Sequence, residues 1–213
     1  MKRLYVYCEG QTEEAFVKSL LYPYLIIKNI CTIPIICRTK EGPQGVHKGG
    51  IVDYTRVVKE VKRYCTQHPN EIVTSFIDYY GLKNLPQVAT DSNKYTLIES
   101  LEERLKSDIG CHNFIPYISL HEFESLLFSE PEQFGYLNAD AVTKFNEILA
   151  EFGNNPELIN NGKDTAPSKR ILKEISNYGK ILDGTRIAEH ISLVGIRKNC
   201  RHFSKWITQL EKI

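Results

Sequence analysis

Leu4-Tyr5-Val6-Tyr7-Cys8, followed at once by Glu9-Gly10-Gln11-Thr12-Glu13-Glu14-Ala15-Phe16, is the stretch that decides the fold. Its first five residues form an apolar run with the length of a buried strand. Thr12–Leu25 then sets Ala15, Phe16, Ser19 and Leu20 at helical spacing, and Pro23 marks the last turn. A buried strand feeding a helix opens a β-α-β unit. The junction carries two glutamates, Glu9 and, four residues on, Glu13.

The pattern repeats downstream. Ile33–Cys37 reads as a second strand, with Pro34 placing it at a sheet edge or marking its start. Glu41–Gly50, with four glycines, reads as a loop. Tyr54, Val57, Val58, Val61 and Cys65 make an i, i+3, i+4 stripe that predicts a helix over 51–66. Glu71–Ile77 is rich in β-branched residues and predicts a strand, followed by a loop over 79–92. Leu97, Ile98, Leu101 and Leu105 predict a helix, and Asn113–Ser119 a further strand. This alternation argues for an α/β fold with a mainly parallel sheet covered by helices. Beyond it only helices are expected. They are a short one over His121–Phe128, an amphipathic one over Ala141–Phe152, one from Pro167 to Asn177, and two over 185–193 and 199–211, with a polar loop over 153–164. The expected organisation is a core over 1–128 and a helical C-terminal extension over 129–213, packed on the core as one compact unit.

The chain has 213 residues, 42% apolar and 25% charged, which excludes a disordered, collagen-like or coiled-coil protein. No apolar stretch approaches the length of a transmembrane helix, so no membrane partner is expected. Met1-Lys2-Arg3 leads straight into the first strand without a signal-peptide pattern. The six cysteines include no Cys-x-x-Cys pair and no zinc-finger spacing, and read as free thiols of a cytoplasmic protein. The net charge of +1 hides an asymmetry: residues 119–162 carry one basic residue, Lys144, and eight acids, whereas 163–213 carry 11 basic residues and five acids. Either these two segments neutralise each other or the basic one faces a polyanion.

Acids collect where the expected strands end, and in an open parallel sheet that edge is where ligands bind. The first strand ends at Glu9, the third at Asp78, and the fourth leads into His121-Glu122-Phe123-Glu124. Glu13 can face the same cleft. Packed carboxylates repel one another unless a countercharge joins them. A hard divalent cation, Mg2+ or Mn2+, takes such oxygen ligands and serves phosphodiester chemistry. Acids in such places also cap helices or pair with Lys and Arg. His121 is a weaker candidate for a ligand or general acid/base than Glu122 or Glu124.

The motif Glu9-Gly10-Gln11-Thr12-Glu13 resembles the Glu-Gly-x-(Ser/Thr)-Glu opening of Toprim-type domains. Those domains occur in topoisomerases, primases and nucleases of the overcoming-lysogenization-defect class. The whole chain resembles a bacterial family of Toprim-like proteins known as domain of unknown function 4276. The matching stretches are Glu9–Phe16, Phe76–Gly81, Tyr117–Phe128, Asn155–Asn160, Thr165–Arg170 and Ile196–Trp206. The resemblance implies a Toprim-like Rossmannoid core in which Glu9 and Asp78 are metal ligands. Toprim domains carry an Asp-x-Asp at the second position, and here Tyr80 replaces its second acid. Glu122 or Glu124 are the candidates to stand in for it. The resemblance also implies an ATPase partner in anti-phage defence.

Gly42–Gly50 fails the phosphate-loop pattern but offers His47 and Lys48 to a phosphate. Lys169, Arg170 and Arg197, on the C-terminal elements, are the main candidates to hold a nucleic-acid backbone. The favoured reading is a metal-dependent nuclease acting on DNA or RNA. Its catalytic set is Glu9, Glu13, Asp78, Glu122 and Glu124; its metal ligands are drawn from Glu9, Asp78, Glu122 and Glu124. Two other readings are a non-catalytic regulatory or nucleic-acid-binding subunit on a degenerate Toprim core, and a nucleotidyl or phosphoryl transferase. Oligomeric state is open, a homodimer included.

Overall fold

The computed structural model describes residues 1–42, 45–48, 52–88, 93–160, 162 and 164–213, with the backbone alone for 38–42, 45–48 and 52. The elements begin β1 (Lys2–Cys8), α1 (Gln11–Phe16), a π-helical turn (Val17–Leu21), α2 (Tyr22–Ile26), β2 (Ile30–Ile36), β3 (Arg38–Gly42), β4 (Gly45–Lys48) and β5 (Val52–Asp53). Next come α3 (Tyr54–Gln67), β6 (Ile72–Asp78), β7 (Leu82–Lys83), α4 (Lys94–Ile109), β8 (Phe114–Ile115) and β9 (Ile118–Ser119). The remainder is helical: 3-10 turns at Phe123–Ser129, Pro131–Tyr136 and Pro156–Leu158, and α5 (Ala141–Glu151), α6 (Pro167–Glu174), α7 (Leu182–Asn199) and α8 (Arg201–Leu210).

The main sheet runs β2-β1-β6-β8, with β9 also on β6, and every pairing in it is parallel. This is the α/β architecture the alternation predicts. Strand periodicity divides the core. Leu4, Val6 and Cys8 face a cluster with Phe16, Leu20 and residues of α7 and α8, whereas Tyr5 and Tyr7 face α3 and α4. Chain order reverses between β1 and β6: β2 follows β1 on one side, and β6 lies on the other. Glu9 and Asp78 therefore end the two strands that flank the topological switch point, where an open sheet leaves a crevice.

Local sequence explains the irregularities. Pro34 sits inside β2 and is tolerated because β2 is an edge strand. Pro23 removes a helical N–H, and its ring crowds the carbonyl four residues back. The turn before it is widened, with the Tyr22 N–H reaching the Val17 carbonyl five residues earlier. Pro116 splits the expected Asn113–Ser119 strand into β8 and β9. Both halves keep the same offset against β6, and Ser75 bridges the gap. Its hydroxyl donates to the Tyr117 carbonyl at 3.0 Å and accepts the Tyr117 N–H at 2.9 Å.

Three expectations are corrected. Much of the 41–50 loop is paired as the antiparallel β3–β4 hairpin. The helix expected from His121 starts later, as a 3-10 turn at Phe123. The gap expected between the last two helices is largely helical: α7 continues through a kink at Ser192, whose φ is 68°. Among the described residues no helix is long and apolar enough to cross a membrane.

A candidate metal-binding cleft at the strand carboxyl ends

Glu9 follows β1 directly, and its N–H bonds the Phe76 carbonyl of β6 at 3.2 Å. Its side chain turns the same way, with Oε2 accepting the Asp78 N–H at 3.1 Å. A Cβ on Gly81 would sit 2.8 Å from that oxygen, so any side chain there would displace the Glu9 carboxylate. Asp78 ends β6, and its Oδ1 is buried without a hydrogen-bond partner. Glu13, in the first turn of α1, is 6% exposed, and its Oε2 accepts the Gly10 N–H at 2.8 Å. That bond is half of a capping box, with glycine at the helix start.

The acids beyond β9 arrive because pairing continues past the strand ends. The Tyr79 N–H bonds the Ser119 carbonyl, and the Tyr80 N–H bonds the His121 carbonyl. Both oxygens of buried Glu122 are engaged by Ser168, by its N–H at 2.9 Å and its hydroxyl at 3.1 Å. Glu122 thus closes the N-terminal end of α6. Glu124 is 2% exposed and pairs with Lys180 Nζ at 3.0 Å, a lysine that reaches in from the surface.

The acids feel one another strongly. Burial first, then the charge of Glu13, pushes Glu9 up to about 8. Burial pushes Glu13 up to about 7. Asp78 is held well above the carboxylate range by burial, then by Glu13, Glu9, Glu124 and Glu122. Burial also raises Glu124, against the pull of Lys180. Burial lowers Lys180, but Glu124, Glu122 and Asp78 outweigh it and hold its ammonium above its ordinary value. Among the described residues, Glu9, Glu13 and Asp78 have no ion pair with lysine or arginine.

Among the described residues no three His, Cys, Asp or Glu side chains close around a point as a ready-made cage. Magnesium needs no such cage, since it keeps several waters and takes one or two carboxylates. An all-oxygen donor set with an orphaned oxygen on Asp78 and, beside it, a Glu9 that has no ion pair among the described residues fits that demand. Glu122 adds charge, but its oxygens are already committed.

The structure brings Glu9, Glu13, Asp78, Glu122 and Glu124 to one electrostatic cluster and sets Tyr80, 46% exposed, at its rim. His121 is buried next to them. The basic candidates are scattered. Arg197 Nη1 donates to Tyr24 at 2.7 Å and Glu211 at 2.9 Å, and Nη2 to Thr208 at 3.1 Å, so its guanidinium ties α7 to α8 rather than awaiting a phosphate. Arg170 donates to the Thr165 carbonyl at 2.9 Å and lies over Phe152. Lys169 is exposed, and the side chain of Lys48 lies outside the described residues. Sequence reading missed Lys180, Ser168 and the role of Gly81. Only Gly81 carried a signal, as a glycine three residues after a strand-end acid.

No curated protein matches the sequence. Among solved structures the chain is similar to the C-terminal region of the Burkholderia pseudomallei OLD protein, at 16% identity over 99% of each chain with a TM-score of 0.48. It is also similar to the C-terminal region of the Xanthomonas campestris pv. campestris OLD protein, at 13% identity over 98% of each chain with a TM-score of 0.41. The model of one family, described as Domain of unknown function (DUF4276), matches residues 8–211, and this chain belongs to that family.

Proposed function

We propose that the chain hydrolyses phosphodiester bonds of nucleic acid in the cleft between β1 and β6, with Mg2+ or Mn2+ bound there. The observation that carries this reading is the pair Glu9 and Asp78. Both stand where strands end at the switch point, both are desolvated, and neither is ion-paired among the described residues, since Lys180 is committed to Glu124 and reaches them only through its field. Glu9 and Asp78 would hold the ion, and Glu13 and Glu124, whose charges both bear on Asp78, would act beside it. When bound, a divalent ion supplies positive charge to a phosphoryl oxygen and lowers the pKa of a coordinated water. Glu13 would serve as the proton acceptor, since its Oε1 is free of the Gly10 bond. Lys180 adds a positive charge that can shift from Glu124 toward a phosphate. Nucleic acid as substrate is supported by the basic C-terminal quarter. An ATPase partner rests on the family resemblance.

One observation favours a second reading. Tyr80 stands where a second acid would complete an Asp-x-Asp, which suits a non-catalytic binding subunit. The deciding experiment is cleavage of labelled DNA and RNA by metal-stripped protein resupplied with Mn2+ or Mg2+. We expect ion-dependent cleavage that falls at least about 100-fold in Glu9→Gln and Asp78→Asn. Absence of cleavage and of any thermal response to Mn2+ would leave the binding-subunit reading in its place.

A further inference from the structure

A second constellation lies on the α4 and α8 side of the molecule. Lys94 and Arg201 line one shallow pocket of about 500 Å³ with Asn93, Tyr95, Asn155 and Leu158. Each cation is stacked on a tyrosine: Lys94 Nζ is 3.5 Å from the centre of the Tyr79 ring, and the Arg201 guanidinium 3.6 Å from that of Tyr95. Tyr79 immediately follows Asp78 in the chain, so the ring that carries Lys94 belongs to the segment leaving the acidic cleft. Among the described residues neither cation has an ion pair. The acids around them are spoken for. Glu157 accepts the Tyr95 hydroxyl at 3.0 Å together with the His202 and Phe203 N–H groups, and Glu99 is bonded by Lys205 at 2.8 Å. Burial pulls Lys94 down to about 8, as for an ammonium stripped of water with no acid among the described residues to offset it. Arg201 also borders a second groove of about 530 Å³ along α8, lined too by Lys198 at the end of α7 and by Lys212 just after α8. Neither of these two lysines has an ion pair among the described residues.

We infer that Lys94 and Arg201 form a phosphate-binding subsite that guides the backbone of a single nucleic-acid strand from the α8 groove to the Glu9–Asp78 cleft. The chemistry suits this ligand. Cations held over aromatic rings are fixed in place and still present their outer side to an anion. Arrangement along one track, rather than around a closed point, fits a polymer of phosphates better than a free phosphate ion. The inference rests on the nuclease reading, because it needs the strand to reach that cleft.

The test uses the full chain in EDTA and a fluorescein-labelled single strand of about 20 nucleotides. Affinity is measured across a salt series for wild type, for the Lys94→Gln/Arg201→Gln double variant, for each of its single variants, and for Lys144→Ala, a control on α5 that matches the single variants in charge. We expect the double variant to weaken binding at least about tenfold and to flatten the log K against log salt slope by about 1.4, as for two lost contacts to a single strand. Lys144→Ala should bind like wild type, and the thermal response to Mn2+ should be unchanged in every variant. Lys212→Glu, at an exposed position, gives an independent weakening should the double variant fold poorly. Unchanged affinity and slope in the double variant, or in Lys212→Glu where the double variant is unfolded, would overturn the subsite while ion-dependent cleavage kept the nuclease reading intact. Failure of wild type to bind any strand, with the Mn2+ response preserved, would overturn the subsite and the substrate together and leave the metal cleft standing.

Discussion

Glu157 and Asp78 are acids in one protein with opposite surroundings. Glu157, 2% exposed, accepts the N–H groups of His202 and Phe203 at 3.1 and 2.9 Å and the hydroxyl of Tyr95 at 3.0 Å. Every one of its donors belongs to the fold, and it closes the first turn of α8. Asp78 leaves one buried oxygen without a donor and faces four other acids instead. Glu102 resembles Glu157: it accepts the Ile118 N–H at 2.8 Å and pairs with His202 at 2.9 Å. The contrast separates acids the fold uses from acids it tolerates. Burying an uncompensated carboxylate is costly, so a set of them at one sheet edge points to something outside the chain that completes it.

The comparison can be broken by mutation. Glu157→Ala should cost on the order of 3 kcal/mol in a urea unfolding experiment, because three donors are orphaned together. A loss under about 1 kcal/mol would put Glu157 with the cleft acids. Glu9→Gln and Asp78→Asn should do the reverse at pH 8 in EDTA and raise stability by about 1–2 kcal/mol, through relief of like-charge repulsion. Both should lose the Mn2+-induced rise in Tm. Destabilisation by Asp78→Asn would show that the fold does use that carboxylate.

Titration sharpens the contrast without changing a residue. Glu9 and Glu13 have folded values near 8 and 7, above their ordinary value of 4.5. The folded state therefore holds protons that the unfolded chain has released. Their contribution to stability is full below about pH 4.5 and is lost as pH rises through 7 and 8. In EDTA, Tm should fall across that window, and Mn2+ should abolish the fall by replacing the protons. A Tm that stays flat to pH 8 without metal would mean that the acids are solvated. The smallest effect is expected from Gly81→Ala, which should push the Glu9 carboxylate aside and weaken Mn2+ binding about tenfold, roughly 1.4 kcal/mol. Titration calorimetry reads this directly, and unchanged affinity would show that Glu9 is not held in place by that loop.

The strand-end acids were legible because each follows a periodic apolar run: Leu4–Cys8 before Glu9, Ile72–Ile77 before Asp78. A period of two or of 3.6 fixes an element and hence its ends. Lys180 was illegible for the converse reason. It lies in a turn between α6 and α7, 56 residues from Glu124, where no periodicity says which way a side chain points. The role of Glu122 was hidden for a similar reason, since its partner Ser168 is set by the docking of α6. The split at Pro116 followed from a missing donor, but its repair by Ser75 depended on tertiary position.

The wide turn at Val17–Leu21 has a consequence for the lineage of such chains. A π-helical turn holds one residue more than a regular one, and each helical residue turns its neighbours by about 100°. Deleting any single residue there restores a regular ladder while leaving all the acids in the sequence. The segment after the deletion would then turn by about 100° against α1, and Leu25 of α2 would leave the core that Phe16 still faces. A one-codon loss outside the acidic cluster would thus unseat part of the core while the Glu9–Glu13 motif still reads intact.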